Sequence, residues 1–173
     1  MSSALVTIEN LNKSYGRGPV LQSLNLTVNS GRIVGVMGPN GCGKTTLFKI
    51  LTGLISDYQG TVTIDGQAPG VYTKSIVSYL PEKTYLSDWM RAKDALDMFR
   101  DFYADFDRQK AAEMLQRFRL DEKMKLKSMS KGMQEKLQLI LVMSRAAKLY
   151  ILDEPLSGID PAARDSILDI ILG

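Results

Sequence analysis

The chain has 173 residues, of which 45% are hydrophobic and 24% are charged, an ordinary composition for a soluble globular domain. Its 22 basic and 19 acidic residues leave a net charge of +3, too small to favour nucleic acid or a charged membrane surface as a partner. The single cysteine excludes an internal disulfide and fits a reducing cytosol. No apolar stretch approaches the roughly 20 residues that span a bilayer, and no signal peptide is evident. We therefore expect a cytoplasmic domain that reaches a membrane only through a partner.

The first part of the chain has the patterns of two kinds of strand. Apolar and polar residues alternate over 5–10, 21–28 and 60–66, which predicts half-buried antiparallel strands joined by turns. Residues 33–37 and 149–152 are instead short continuous apolar runs. Such runs are typical of central strands of a parallel sheet, buried on both faces.

Apolar residues recur with helical spacing in four later segments. These are residues 47–54, 93–103, 109–118 and 133–144. The order predicts an α/β fold: a core whose mixed sheet has parallel central strands and an antiparallel β layer, plus an inserted helical subdomain. We place the core at residues 1–86 and 146–173, and the helical subdomain at 87–145.

The loop after the first apolar run matches the phosphate-binding pattern G-x-x-x-x-G-K-[ST] at Gly38, Gly43, Lys44 and Thr45. Glycines let successive backbone N–H groups turn inward around a phosphate, and a helix N-terminus adds about half a positive charge. Lys44 is expected to contact the β- and γ-phosphates, and the Thr45 hydroxyl to bind Mg²⁺. The alternative is a glycine-rich turn that binds nothing.

This loop predicts a P-loop NTPase core with ATP and Mg²⁺ as cofactors. Thr46, one step into the helix, is placed to reach the α-phosphate, whereas the position of Cys42 needs only a small residue. The predicted nucleotide-binding residues of the loop are Gly38, Pro39, Asn40, Gly41, Cys42, Gly43, Lys44, Thr45 and Thr46.

The second apolar run ends in two adjacent carboxylates, Asp153 and Glu154. The carboxyl edge of the sheet is where ligands bind in open α/β folds, so Asp153 is expected to hold Mg²⁺, directly or through water. Glu154 is then placed to orient and deprotonate an attacking water as a general base. Taken alone, such a pair is more often a helix cap or a solvated turn.

Just before the acidic strand, the stretch Met-Ser-Lys-Gly-Met resembles the signature motif Leu-Ser-Gly-Gly-Gln of the ABC (ATP-binding cassette) ATPase family. With the two motifs above, the resemblance extends over nearly the whole chain. The stretch departs from the family at Met129, Lys131 and Met133, and it keeps Ser130 and Gly132. The resemblance implies that Ser130 and Gly132 close on the γ-phosphate of ATP held by an opposite subunit; a simple serine helix cap is the alternative.

Three further positions resemble family motifs. Asp160 lies in Ser-Gly-Ile-Asp-Pro, which resembles the loop whose aspartate crosses the dimer interface. Tyr15 resembles the aromatic residue that stacks on adenine, although a buried tyrosine at a strand end is an equal alternative. Glu82 stands where the family usually has a glutamine that contacts Mg²⁺ and the attacking water. A carboxylate can ligate Mg²⁺, but it adds negative charge near the γ-phosphate, so an identical role does not follow.

The resemblance implies a homodimer, or pairing with a second cassette, with ATP sandwiched between the subunits. It also implies a membrane-spanning permease partner, which would hold the chain peripherally on the inner face of the membrane. The signature variant and the stretch Asp105-Phe-Asp107 resemble small bacterial cassettes of ABC-2 exporters. The cluster Tyr85, Leu86, Trp89 and Met90 corresponds to the region that receives the permease, unless these residues pack inside the helical subdomain.

Other functions are open at this stage. The runner-up is a soluble ABC-type ATPase that acts on the ribosome or on DNA, although no nucleic-acid partner is expected. A GTPase would need an Asn-Lys-x-Asp motif, which is absent. A non-catalytic nucleotide sensor is a further alternative. Residues 165–172 read as an amphipathic helix, and the family places a last core strand and a switch histidine beyond it. The chain has no histidine, so we expect a C-terminally truncated cassette.

Overall fold

The computed structural model describes residues 4–16, 18–155, 164, 168, 169 and 171. They divide into two compact units, residues 1–77 and residues 78–173. Antiparallel and parallel sheets occur together with helices, which confirms the predicted mixed α/β fold class of P-loop NTPases.

The first unit contains an antiparallel sheet of three strands in the order β2-β1-β3. The strands are β1 (Ala4–Tyr15), β2 (Gly18–Asn29) and β3 (Gln59–Ile64), and the helices are α1 (Lys44–Leu51) and α2 (Val71–Ile76). All three predicted antiparallel strands are therefore confirmed. The alternating pattern of β1 and β3 buries one face, because residues two apart in a strand point the same way, whereas no residue of β2 is fully buried. The core of this unit is formed mainly by Val6, Ile8, Leu11, Ile50, Val62 and Ile64.

Residues 33–37 do not form the buried central strand that their apolar run predicts. The backbone has no regular secondary structure over 32–39, and Ile33 and Met37 are 71% and 92% exposed. An apolar run is buried on both faces only where strands flank it and layers cover the sheet on both sides. The described strands of this unit pair with one another and not with this run, so its apolar side chains stay in contact with solvent.

The second unit packs three helices around one apolar core. They are α3 (Ala92–Phe102), α4 (Arg108–Arg117) and α5 (Lys131–Met143), and each matches a predicted helix closely. A two-stranded sheet is formed by β4 (Val77–Leu80), which starts at the boundary of the units, and β5 (Leu149–Leu152). Fully buried residues of the helical core include Leu96, Leu115, Leu126, Leu137 and Ile140.

The connection between α3 and α4 is tied to the end of α5 by a buried ion pair. The Arg145 guanidinium donates to both carboxylate oxygens of Asp105, at 2.9 and 3.1 Å, and only 2% of its side chain is exposed. The same guanidinium lies 3.8 Å from the centre of the Tyr103 ring. This contact fixes residues that are 40 positions apart in the chain.

Candidate nucleotide-binding site

The predicted phosphate loop runs directly into α1. Gly41 and Gly43 have φ angles of 81° and 100°, in the left-handed region that favours glycine. Gly43 is the N-cap of α1, and no side chain caps the helix. A Cβ at Gly38 would lie 2.6 Å from the Cys42 sulfur. Glycine at these positions therefore allows the chain to make a tight turn whose backbone leads into a helix N-terminus.

Lys44 folds back over this turn. Its Nζ donates to the carbonyl oxygens of Gly38 at 2.7 Å and of Pro39 at 3.1 Å, and the Cys42 sulfur is 4.0 Å away. The ammonium group is thus held at the entrance of the loop by the loop's own carbonyls. A backbone that positions a lysine beside a helix N-terminus concentrates positive potential at one place, which suits a polyphosphate.

The loop packs against the start of β2. A Cβ on Gly43 would meet the Leu21 side chain at 2.9 Å and Val20 at 3.1 Å. Across the hairpin, Tyr15 at the end of β1 pairs with Gly18 at the start of β2. The first unit therefore brings Tyr15 and the phosphate loop to the same end of the hairpin. Tyr15 is 47% exposed, so it is not the buried strand-end tyrosine of the alternative interpretation.

Lys13 was not among the predicted site residues, yet it lies against Tyr15. Its Nζ is 4.7 Å from the centre of the Tyr15 ring and 2.6 Å from the Asp57 carboxylate. The hydrogen bond from Lys13 is the main reason that the pKa of Asp57 lies below its ordinary value of 3.8. Lys13 and Tyr15 are two residues apart in one strand and so point to the same face, and this spacing is the sequence pattern from which the contact could have been predicted.

In the second unit, Asp153 directly follows β5 and is 3% exposed. Its backbone N–H donates to the carbonyl of Leu80, the last residue of β4, at 2.9 Å. Glu154 is exposed and has a φ of 55°, an unusual left-handed conformation for a residue with a side chain. The strand pairing thus places a buried and an exposed carboxyl group side by side at the end of β5.

Glu82 belongs to the same neighbourhood. Burial, followed by the negative charges of Asp153 and Glu82, raises the pKa of Tyr79 from 10.0 to about 12. Both carboxyl groups therefore act on one phenol at the ends of β4 and β5. The second unit brings together two of the three residues predicted to bind the metal.

The signature-like motif forms the start of α5. Ser130 is the N-cap, and its hydroxyl accepts a hydrogen bond from the backbone N–H of Met133 at 3.3 Å. Lys131 is largely exposed and forms a weak pair with Glu135 at 3.7 Å, whereas Met129 is buried. Ser130 therefore acts as a helix cap, and Gly132 lies in the first turn behind it.

The residues predicted to bind Mg²⁺ are Thr45, Asp153 and Glu82. Thr45 is in the first unit, and Asp153 and Glu82 are in the second; their hydroxyl and carboxylate oxygens are donors of the hard type that Mg²⁺ prefers. Within the described ranges, no group of three His, Cys, Asp or Glu residues is arranged to hold a metal by itself. Asp160 lies outside the described residues.

The cluster at residues 85–90 is divided between the core and the surface. Leu86 and Met90 are buried in the helical core, while Tyr85 and Trp89 are 47% and 75% exposed. The Tyr85 ring stacks on Phe99, with 6.4 Å between the ring centres, and the partial burial of the side chain raises its pKa above 10.0. Two of the four predicted docking residues are therefore accounted for by packing inside the unit.

Comparison with known proteins identifies the family of the chain. A family model described as ABC transporter matches residues 21–157. The chain belongs to the ABC transporter family. ATP-binding domains of this family bind and hydrolyse ATP, which agrees with the resemblance of the motifs. No helix among the residues that the structure describes is both long and apolar enough to cross a bilayer.

Relatives within the ABC transporter family are ATP-binding subunits. The chain is 31% identical to the ABC transporter ATP-binding protein YtrB of Bacillus subtilis, over 97% of the chain and 58% of the relative. It is 32% identical to the lipopolysaccharide export system ATP-binding protein LptB of Haemophilus influenzae, over 97% of the chain and 74% of that protein. It thus spans less than two thirds of the B. subtilis relative.

A solved structure of the ATP-binding subunit of an ABC transporter superposes with a TM-score of 0.86 at 28% identity, covering 96% of the chain and 73% of that structure. A putative cobalt transport ATP-binding protein, cbiO-2, superposes with a TM-score of 0.80 at 27% identity, over 96% of the chain and 65% of that structure. The match extends over nearly the whole chain in both cases.

Proposed function

We propose that this chain binds and hydrolyses ATP and, in doing so, powers a membrane ABC transporter of the exporter type. One observation carries the proposal: Lys44 is held over the turn of residues 38–46 by the carbonyls of Gly38 and Pro39, at the uncapped start of α1. Three N–H donors on the ammonium and a row of backbone N–H groups suit the charged oxygens of a nucleoside triphosphate.

In this proposal, the hydroxyl of Thr45 and the carboxylates of Asp153 and Glu82 would hold Mg²⁺, which would neutralise charge on the phosphates. Asp153 is 3% exposed, so few water molecules compete for its carboxylate oxygens. Glu154 acts as the general base, because it is the exposed carboxylate next to the metal ligand and can accept a proton from water. Lys44 stabilises the charge of the phosphates during transfer.

We further propose that catalysis needs a second cassette. Ser130 and Gly132 at the start of α5 and Asp160 in the following loop complete the site of the opposing subunit. The helix that Ser130 caps presents its N-terminus to an anion, and Gly132 permits close approach of the backbone. In this organisation, residues 87–145 form the helical subdomain, and residues 1–86 with 146–173 form the nucleotide-binding core.

A membrane permease is the proposed partner, at the surface formed by Tyr85 and Trp89. Exposed aromatic side chains are apt anchors for a helix in a groove. The export direction is supported by similarity to a protein named for lipopolysaccharide export and by the signature variant described above. The chain then works on the cytoplasmic face of the membrane.

The test is transport activity with a defined partner. The protein is purified with the membrane protein encoded beside it, reconstituted in vesicles, and assayed for ATP hydrolysis with and without that partner. We expect the permease to co-purify and to raise turnover, and Trp89→Ala to weaken the association. Binding to ribosomes or DNA in place of a permease would contradict the proposal.

A further inference from the structure

Lys13 is a buried lysine that has no role in the proposed function described above. Only 4% of its side chain is exposed, and its Nζ donates to the Asp57 carboxylate at 2.6 Å and to the Asp57 carbonyl at 2.7 Å. The same ammonium lies 4.7 Å from the centre of the Tyr15 ring. Lysine is almost never fully buried unless it is paired, and here Asp57 is the partner. The ion pair holds the positive charge of Lys13 against the ring of Tyr15.

The position of this pair in the sheet links it to the phosphate loop. Lys13 and Tyr15 are two residues apart in β1 and so point to the same face. Across the hairpin Lys13 pairs with Leu21, whose side chain lies 2.9 Å from the Cβ position of Gly43 at the end of the loop. The lysine and the tyrosine therefore stand beside the loop that is proposed to hold the phosphates.

We propose that Lys13 is a positioning residue for the nucleotide base: anchored by Asp57, its ammonium fixes the ring of Tyr15 so that the ring stacks on adenine. The inference rests on the proposed function, in which residues 38–46 hold the phosphates and Tyr15 contacts the base. It extends that function because the Lys13 ammonium, which lies against the Tyr15 ring, would hold that ring in place for the base.

Two physical effects give Lys13 this role. A cation over one face of a ring is attracted by the ring's electrons and draws them toward itself. The opposite face becomes less negative and repels the π electrons of a purine less. In addition, the contact restricts the Tyr15 side chain, so that less rotational freedom is lost when a base binds. Because Tyr15 is 47% exposed, part of its ring remains accessible to a ligand.

Asp57 is the anchor of this arrangement. Its side chain is 85% exposed, so it is hydrated even when Lys13 is replaced. The hydrogen bond from Lys13 lowers the pKa of Asp57 below 3.8, and the carboxylate is charged at neutral pH with or without that bond. Replacing Lys13 by methionine therefore removes the cation while keeping an apolar stem of similar length, and it leaves no buried unpaired charge behind.

The experiment separates base recognition from phosphate recognition. Calorimetry measures the Kd of MgATP and of magnesium tripolyphosphate, which has the phosphates but no base, for the unsubstituted chain and for Lys13→Met. We expect Lys13→Met to weaken MgATP about fivefold and to leave tripolyphosphate unchanged. Lys13→Arg keeps the cation and should restore ATP binding. Lys110→Met, on the exposed side of α4, is the matched control and should change neither Kd.

Equal weakening of both ligands by Lys13→Met would overturn the inference, because it would mean that Lys13 supports the hairpin or the loop as a whole. No change for either ligand would overturn it as well. If Lys13→Met does not fold, Lys13→Gln carries the test, because it also removes the cation but can still donate a hydrogen bond to Asp57; the same selective loss is expected, and the same outcomes would overturn the inference. Failure of the proposed function is distinct: the unsubstituted chain would bind neither ligand, or Lys44→Ala would bind both unchanged.

Discussion

The backbone N–H of Asp153 donates to the carbonyl of Leu80 at 2.9 Å, and this bond joins the ends of two strands that are far apart in sequence. It fixes the buried carboxyl group after β5 next to the segment that carries Glu82. The charges of both act on Tyr79, the penultimate residue of β4. The pairing of β4 with β5 thus brings together the carboxyl groups of Asp153 and Glu82, which are far apart in the sequence.

Lys44→Ala should weaken binding of MgATP at least about tenfold. The substitution removes the ammonium that the loop carbonyls hold in place, and with it a charge-assisted contact worth about 1.5–3 kcal/mol. Calorimetry with MgATP measures the effect. Lys49→Ala is the matched control, because Lys49 is an exposed lysine in the last turn of the same helix. Unchanged affinity of Lys44→Ala would exclude this loop as the phosphate site.

Glu154→Gln should lower kcat by about 10² or more and leave the affinity for MgATP nearly unchanged. Glutamine keeps the size and hydrogen bonding of the side chain but cannot accept a proton from water. A steady-state ATPase assay, with binding measured separately, checks both parts. Glu113→Gln, a conservative change in α4, is the control. Turnover near that of the unsubstituted protein would point to Glu82 as the base.

Asp105→Ala should reduce the free energy of unfolding by about 3 kcal/mol. It removes the carboxylate that accepts two hydrogen bonds from the guanidinium of Arg145, whose side chain is 2% exposed. Asp101→Ala is the matched comparison, since Asp101 and its partner Arg100 are 68% and 53% exposed, and exposed pairs contribute about 0–1 kcal/mol. Urea unfolding of both variants gives the difference. Similar losses in the two variants would contradict the importance of burial.

Stability should fall as the pH rises from 10 to about 12. Burial and two nearby carboxylates raise the pKa of Tyr79 from 10.0 to about 12, so the folded chain keeps its phenolic proton where the unfolded chain releases it. Above pH 10 the folded state therefore binds more protons, and each rise in pH favours unfolding. Tyr79→Phe should make this fall less steep. Urea unfolding of the unsubstituted protein and of Tyr79→Phe from pH 8 to 11.5 tests this prediction. Free energies of unfolding that fall equally with pH in the two proteins would contradict a raised pKa of Tyr79.

Local patterns in the sequence predicted most of the elements. Alternation over 21–28 was enough for β2, and helical spacing was enough for α3, α4 and α5. The short helix α2 and the four-residue strand β4 were missed, because such short segments carry little periodicity. Residues 33–37 were predicted wrongly, since burial on both faces depends on neighbours that an apolar run does not itself specify.

The candidate site likewise contains residues that a local sequence pattern predicts and residues that only tertiary packing brings together. The glycine spacing of residues 38–46 is a local pattern, so the sequence alone was enough to predict a phosphate-binding loop there. The contact of Lys13 with Asp57 joins residues 44 positions apart, and a lysine in an alternating strand reads as a surface residue. The pairing of Arg145 with Asp105 across 40 positions was equally hidden. Both contacts depend on tertiary packing, which a single sequence does not reveal.

With Glu154 as the proposed general base, its left-handed backbone sets stability and turnover against each other. A φ of 55° costs a residue with a side chain about 1–2 kcal/mol, whereas glycine adopts it without strain. A laboratory screen that rewards only heat resistance would therefore accumulate glycine at this position. The surviving variants would be more robust and would still hold nucleotide, but they would hydrolyse it poorly. Selection on this chain has to include ATP turnover if the glutamate is to be retained.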